Sequence, residues 1–123
     1  MNNYEKLHVF HKAHSLVLKI YKATETFPKE EKFRLVDQMI RASYSIPSNI
    51  VEGNSKRTTR DYLNFLFIAR GSVHELKYFL LLSRDLSYLG EKEFRALSEE
   101  CDAVAKMLNG LINALKSKEN KNV

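Results

Sequence analysis

Histidines and a short serine-histidine-glutamate run are the residues whose types could support a metal site or a catalytic site. His8, His11 and His14 recur every three residues, and a pair of histidines at this spacing can share a metal ion on a helix. No Asp, Glu or Cys follows at ligand spacing within that segment, and steps of three rotate around the helix axis. Ordinary surface histidines are the favoured interpretation, and we expect no metal site.

The run Ser72-Val73-His74-Glu75 contains the residue types of a hydrolytic site. Residues one or two positions apart on a helix do not face each other, so this run cannot assemble a nucleophile and its base. The sequence also lacks a glycine-rich phosphate loop, a CxxC pair and an H-E-x-x-H motif. It therefore predicts no enzyme and no cofactor.

Basic residues are more regularly arranged than any of these groups. In three segments Lys or Arg recurs at seven-residue intervals, which drift only about 20° around a helix and so form stripes. A further basic cluster lies in a predicted turn. Such side chains could neutralise phosphates without reading bases. The candidate nucleic-acid-binding residues are Lys12, Lys19, Arg34, Arg41, Lys56, Arg57, Arg60, Arg70, Lys77 and Arg84.

The formal net charge of +5 is consistent with an anionic partner, and residues 1–60 carry 11 Lys/Arg against 6 Asp/Glu. Residues 61–123 carry 9 of each sign. The alternative is a solvated basic surface, with Arg41 paired to an acid such as Glu52 or Glu75. If Tyr and Phe are mostly in the core, base stacking should contribute little.

Apolar residues recur at helical spacing along nearly the whole chain, with only two prolines and four glycines. The pattern predicts an all-α, antiparallel up-and-down four-helix bundle in one domain, 1–123. Phe27-Pro28 should end the first helix, and Thr58 with Asp61 should begin the third, which Gly90 should end. The last three predicted helices span about 29–54, 58–89 and 92–117, followed by a polar tail at 118–123.

Cys101 is the sole cysteine, so no intramolecular disulfide can form, as expected of a protein in a reducing cytoplasm. Neither a signal peptide nor a membrane span is predicted, because apolar runs are short and broken by arginines.

The stretch Ser45-Ile-Pro-Ser-Asn-Ile-Val-Glu-Gly53 places unusual residues in a helical pattern. Pro47 removes a backbone hydrogen bond at a cost of about 3 kcal/mol, which hydroxyls of Ser43 and Ser48 could reduce. Asn49 falls on the apolar face and needs polar partners there. The sequence predicts a kinked helix with an internal polar contact formed by Asn49, Glu52, Ser72 and Glu75. Gly71 and Ser72 should let helices approach closely.

The third helix carries more apolar surface than one stripe requires, with Phe65, Ile68 and Phe79 on a second face. Either its three neighbours cover this surface, or part of it, with Phe67, Tyr78 and Leu81, is buried against another subunit. The sequence leaves both alternatives open.

The order and spacing of residues from Leu7 to Leu76, above all SIPSNIVEG and RGSVHEL, resemble the bacterial four-helix-bundle protein family. That family includes proteins encoded in rRNA intervening sequences, sometimes labelled S23 ribosomal protein, and the accessory protein of diversity-generating retroelements is similar. Phe10 stands where the family often has tryptophan.

The resemblance implies a four-helix bundle that assembles as a homopentamer, with RNA or DNA and, if retroelement-associated, a reverse transcriptase as partners. Stand-alone members have no established activity. The leading hypothesis is backbone-directed nucleic-acid binding, and the alternative is a structural or protein-partner scaffold. An rRNA operon and a reverse-transcriptase cassette would imply different roles, and the sequence does not choose between them.

Overall fold

The computed structural model describes residues 3–121 and contains four α-helices. They form an all-α, antiparallel up-and-down bundle, which confirms the predicted fold class. Each helix packs against the two next to it in the ring α1, α2, α3, α4. The helices are α1 (His8–Thr24), α2 (Leu35–Asn54), α3 (Thr59–Asp85) and α4 (Glu91–Lys121), with short 3-10 turns at Asn3–Lys6 and Lys29–Glu31.

The core is aliphatic. Leucine, isoleucine, valine, alanine and methionine side chains from all four helices form one buried cluster. Phe27 is the only buried residue among the thirteen aromatic ones, all of which lie in the described part of the chain. Six other aromatic rings are partly buried and pack against this cluster, so the condition under which base stacking should contribute little is met only in part.

The first two helices differ from their predicted limits at the connection between them. α1 ends at Thr24, three residues before Phe27. The Thr24 hydroxyl donates to the carbonyl oxygen of Ile20. The segment Lys29–Glu31 forms a 3-10 turn, so α2 begins at Leu35 and not near residue 29. Pro28 leads into this turn because its fixed φ suits such a start.

The third helix ends earlier than predicted. Asp85 is its last residue, and Ser87 has a φ of 66°, in the left-handed region. The amide of Tyr88 donates to the carbonyl of Ser83, and the amide of Ser87 donates to that of Arg84, both at 2.9 Å. This is a Schellman motif with serine where glycine is usual. Gly90 has no positive φ and does not end α3.

The fourth helix is longer than predicted, because it continues past residue 117 to Lys121. Residues 122 and 123 of the predicted polar tail lie outside the described part of the chain. Within residues 3–121, no helix is both long and apolar enough to cross a bilayer.

Candidate nucleic-acid interface

The turn between α2 and α3 satisfies its backbone with its own hydroxyl groups. The Ser55 hydroxyl donates to the carbonyl of Glu52 at 2.7 Å, and the Thr58 side chain accepts from the amide of Asp61 at 3.1 Å. The second contact confirms the helix start predicted from Thr58 and Asp61. The charged side chains of this turn are therefore not needed to hold its backbone.

Lys56, Arg57 and Arg60 are all exposed at this turn. Lys56 lies 3.7 Å from a carboxylate oxygen of Glu52 and 5.1 Å from the ring centre of Phe65. Neither arginine makes an ion pair with any residue in the described range. Two guanidinium groups thus face solvent with their charges unmatched.

Three lysines of the basic stripes on α1 and α3 lie beside two acids of α4. The ammonium groups of Lys12 and Lys19 lie 3.8 and 2.6 Å from one carboxylate oxygen of Glu100. Lys77 makes an ion pair with Asp102. Because α4 runs antiparallel to α3, its acidic first half lies beside these lysines. These two acids therefore offset part of the positive charge of the predicted stripes.

Two further arginines of the predicted set are matched within or next to their own helices. Arg84 lies 3.1 Å from Asp85 and 3.9 Å from Glu91. Arg41 pairs with Asp37 at 3.2 Å, one turn earlier on α2. The partner of Arg41 is therefore neither of the acids considered from the sequence.

Arg70 and Arg34 complete the predicted set. Arg70 donates to the amide oxygen of Asn109 at 3.1 Å, and its guanidinium carbon lies 5.2 Å from the ring centre of Phe67. The ammonium of Lys116 lies 5.3 Å from the same ring. Arg34 is exposed at the start of α2, at the other end of the bundle from the α2–α3 turn.

A surface groove of about 340 Å³ lies between the first turns of α3 and the last turns of α4. The sequence predicted nucleic-acid binding for Arg60 and a candidate subunit contact for Phe67, and no role for the other lining residues. Lys116 could have been anticipated, since the start of α3 and the end of α4 must meet in an antiparallel bundle. The lining residues are Arg60, Leu63, Asn64, Phe67, Lys116, Glu119 and Asn120.

Asn49 takes part in a small polar network between α2 and α3. Its amide nitrogen donates to the carbonyl of Ser45 at 2.7 Å and lies 3.0 Å from the Ser45 hydroxyl. The Ser72 hydroxyl, on α3, lies 2.9 Å from that same hydroxyl. Ser45 thus links Asn49 and Ser72, a role the sequence did not assign to it.

The two acids predicted to join this contact lie elsewhere. Glu52 and Glu75 are both exposed, and Glu52 points to Lys56. The prediction that Glu52 turns inward toward Ser72 and Glu75 is wrong. An ionised carboxylate keeps its hydration at the surface, whereas a neutral amide can be satisfied by one serine in a half-buried position.

Pro47 lies inside α2 and is buried. The Ser43 hydroxyl donates to the carbonyl of Ile40 at 2.7 Å, and that of Ser48 to the carbonyl of Ser45 at 3.3 Å. Each hydroxyl has one proton, so neither serves the Ser43 carbonyl that Pro47 leaves without its usual donor. The two serine hydroxyls therefore do not replace the backbone hydrogen bond lost at Pro47, contrary to the expectation from the sequence.

Gly53 is the glycine at which two helices approach closely. A Cβ atom there would lie 2.9 Å from the Cβ of Phe65 and 3.2 Å from the carbonyl oxygen of Tyr62. A Cβ atom on Gly71 would meet nothing within 4 Å, so the predicted close approach at Gly71 is wrong. The last residue of SIPSNIVEG is therefore a contact point between α2 and α3.

The remaining nucleophilic and metal-ligating types do not combine. His11 contacts the carbonyl oxygen of Glu5 at 2.7 Å, and residues 3–121 hold no group of three or more His, Cys, Asp or Glu arranged for a metal ion. Burial raises the pKa of the Cys101 thiol to about 12, an effect that Lys77 partly opposes. Near neutral pH this thiol is protonated and unreactive.

Comparisons with known proteins agree with the fold. A crystal structure of a protein of unknown function from the S23 ribosomal protein family of Bacteroides thetaiotaomicron superimposes with a TM-score of 0.80. That likeness covers 85% of this chain and 95% of the other, at 24% sequence identity. No curated protein matches the chain. The family model for the 23S rRNA-intervening sequence protein matches residues 5–110. This chain therefore belongs to the 23S rRNA-intervening sequence protein family.

Proposed function

We propose that this protein is a non-enzymatic, oligomeric helical bundle that binds RNA or DNA through the phosphate backbone at its α2–α3 turn. The observation that carries the proposal is the pair Arg57 and Arg60, exposed and unmatched by acids in the described structure. Lys56 and Lys116 extend the same basic surface. Displacing counterions from phosphates by such a surface favours binding without base selection.

The family's name refers to 23S rRNA, so a structured rRNA fragment belongs among the first RNA probes. Duplex DNA of similar length is the natural comparison, because backbone contacts alone distinguish the two weakly.

The test compares two triple variants that each remove three positive charges. Changing Lys56, Arg57 and Arg60 to alanine should weaken binding at low salt by on the order of tenfold or more. The matched control changes Lys12, Lys19 and Lys77 to alanine, all of which already face acids. Fluorescence anisotropy should show a much smaller loss for the control. Equal losses would mean that net charge, and not the turn, determines binding.

A structural or protein-partner scaffold is the second candidate function, and exposed apolar side chains on α3 favour it. Ile68, Tyr78 and Leu81 are 53%, 57% and 37% exposed. We expect these residues to contribute to self-association, with the pentamer implied by the family resemblance as the expected state. Analytical ultracentrifugation tests this, since a mass that stays monomeric at all concentrations would contradict assembly. Absence of nucleic-acid binding at low salt would favour the scaffold.

A further inference from the structure

Phe67 lies in a basic groove that also contains amide side chains. It is only partly buried, on α3, at the wall of the groove formed with the end of α4. Arg70 and Lys116 both place their charges near its ring, at 5.2 and 5.3 Å from the ring centre. Asn64 stands on the same wall. The groove thus combines an aromatic ring, two cations, amides and one carboxylate, that of Glu119, so its charged side chains carry a net positive charge.

This combination differs from that of a surface that only neutralises phosphates. An aromatic ring with neighbouring guanidinium groups offers planes on which unpaired bases stack, and amides offer donors and acceptors to base edges. A duplex presents its bases already stacked, so it cannot use such a ring. The groove is also continuous with the unmatched turn, because Arg60 belongs to both.

We propose that the α3–α4 groove binds single-stranded nucleic acid, with a base stacked against Phe67 and the adjoining phosphates held by Arg60 and Lys116. The proposal rests on the proposed function, because the same basic end supplies the backbone contacts. A base that stacks on the Phe67 ring displaces the Lys116 ammonium from that ring. The ammonium is then free to contact a phosphate, so its positive charge still contributes to binding. RNA and DNA strands share this chemistry, and the experiment includes both.

The chain has no tryptophan, which provides a direct optical test. Phe67→Trp places a single indole in the groove, and Phe94→Trp places one beside Arg84, whose guanidinium carbon lies 4.5 Å from the Phe94 ring centre. Saturation with an unlabelled single strand of about 12 nucleotides should quench the fluorescence of Phe67→Trp through base stacking. Phe94→Trp should be unaffected. Equal responses of the two variants would overturn the proposal.

Binding measurements give a second, independent test. Phe67→Leu keeps apolar contact with the core but removes the π face, and should weaken single-strand binding about tenfold while leaving duplex binding of the same sequence unchanged. Phe94→Leu is the matched control and should alter neither affinity. Circular dichroism and unfolding curves check that both variants fold. RNA and DNA versions of each probe show whether the 2′-hydroxyl contributes.

The outcomes separate this inference from the proposed function. If Phe67→Leu changes neither affinity, or both equally, while the alanine triple at Lys56, Arg57 and Arg60 still weakens binding, the groove proposal fails and backbone binding stands. If neither the single strand nor the duplex binds at low salt, both proposals fail.

Discussion

The two turns that flank α3 are similar in length but differ in the number of cations at or beside them and in what surrounds those cations. At the α2–α3 turn, Arg57 and Arg60 face solvent without an acid partner in the described structure. At the α3–α4 turn, Arg84 lies between Asp85 and Glu91. Only the first turn presents an unmatched positive surface. The positions of acidic residues, more than the spacing of basic residues, therefore distinguish a candidate interface from an ordinary charged surface.

The same contrast explains why the regular seven-residue spacing of Lys and Arg did not identify the candidate interface. Seven-residue repeats place Lys12 and Lys19 on one side of α1, which is the side that meets the acidic part of α4. A helix side that packs beside a charged neighbour is expected to carry complementary charges. In the cluster at the turn only Lys56 has an acid partner, Glu52, so Arg57 and Arg60 stay available to an anionic partner.

The largest expected effect concerns the helix contact next to the α2–α3 turn. Gly53→Ala should destabilise the bundle by about 1–3 kcal/mol, because the new methyl would meet the backbone of Tyr62 and the Cβ of Phe65. Gly71→Ala is the control and should stabilise by about 0.5–1 kcal/mol, since its helical site is open. Urea unfolding measures both, and equal effects would contradict the close approach at Gly53.

At the α3–α4 turn, the strained residue is Ser87. Ser87→Gly should stabilise the protein by about 1 kcal/mol, because glycine adopts the left-handed conformation at φ 66° without a Cβ penalty. Ser87→Ala should not stabilise, which separates relief of strain from loss of the hydroxyl. Thermal unfolding of the three proteins makes the comparison. A destabilised Ser87→Gly variant would argue against the capping motif.

Removing the acids near Arg84 should make the α3–α4 turn more like the α2–α3 turn. The double change Asp85→Asn and Glu91→Gln removes both acids near Arg84 and should raise nucleic-acid affinity at low salt about threefold. Reverting the gain by adding Arg84→Ala would assign it to that guanidinium. An unchanged affinity would mean that Asp85 and Glu91 do not prevent this turn from binding nucleic acid.

The smallest effect is expected at Tyr88, also in the second turn. Its hydroxyl donates to a carboxylate oxygen of Glu31 at 3.0 Å, and this hydrogen bond, with burial and the Glu31 charge, raises the tyrosine pKa above 10.0. A raised pKa in the folded state stabilises fully below pH 10 and less as pH rises through the folded value. Comparing unfolding of wild type and Tyr88→Phe should show a gap that narrows in alkali. A constant gap would contradict the assignment.

Much of the fold could be predicted, because aliphatic residues at helical spacing mark four helices whatever their neighbours are. Thr58 also predicted the start of α3, since capping is a local interaction. The end of α3 could not be placed, because Ser87 closes it in a conformation that sequence patterns assign to glycine. A close helix approach was predicted at Gly71 but lies at Gly53, because local spacing does not give the register of α2 against α3.

The candidate site was predicted only in part for the same reason. Lys56, Arg57 and Arg60 form a local cluster and were identified directly from the sequence. Whether a basic stripe is paired with acids depends on which residues of α4 lie beside it. The sequence alone does not give this alignment of the helices. Phe67 was considered only as part of an apolar surface that another subunit could cover, because an amphipathic pattern does not show that its ring lies beside the end of α4.

The most direct test of the central claim is the salt dependence of single-strand binding in the two triple variants. For the alanine triple at Lys56, Arg57 and Arg60, the slope of log affinity against log salt should fall in magnitude by about two relative to wild type, since three phosphate contacts are lost. For the triple at Lys12, Lys19 and Lys77, whose three charges already face the two carboxylates of Glu100 and Asp102, the slope should change much less. Equal slopes in both variants, or a larger change at the matched lysines, would contradict the account.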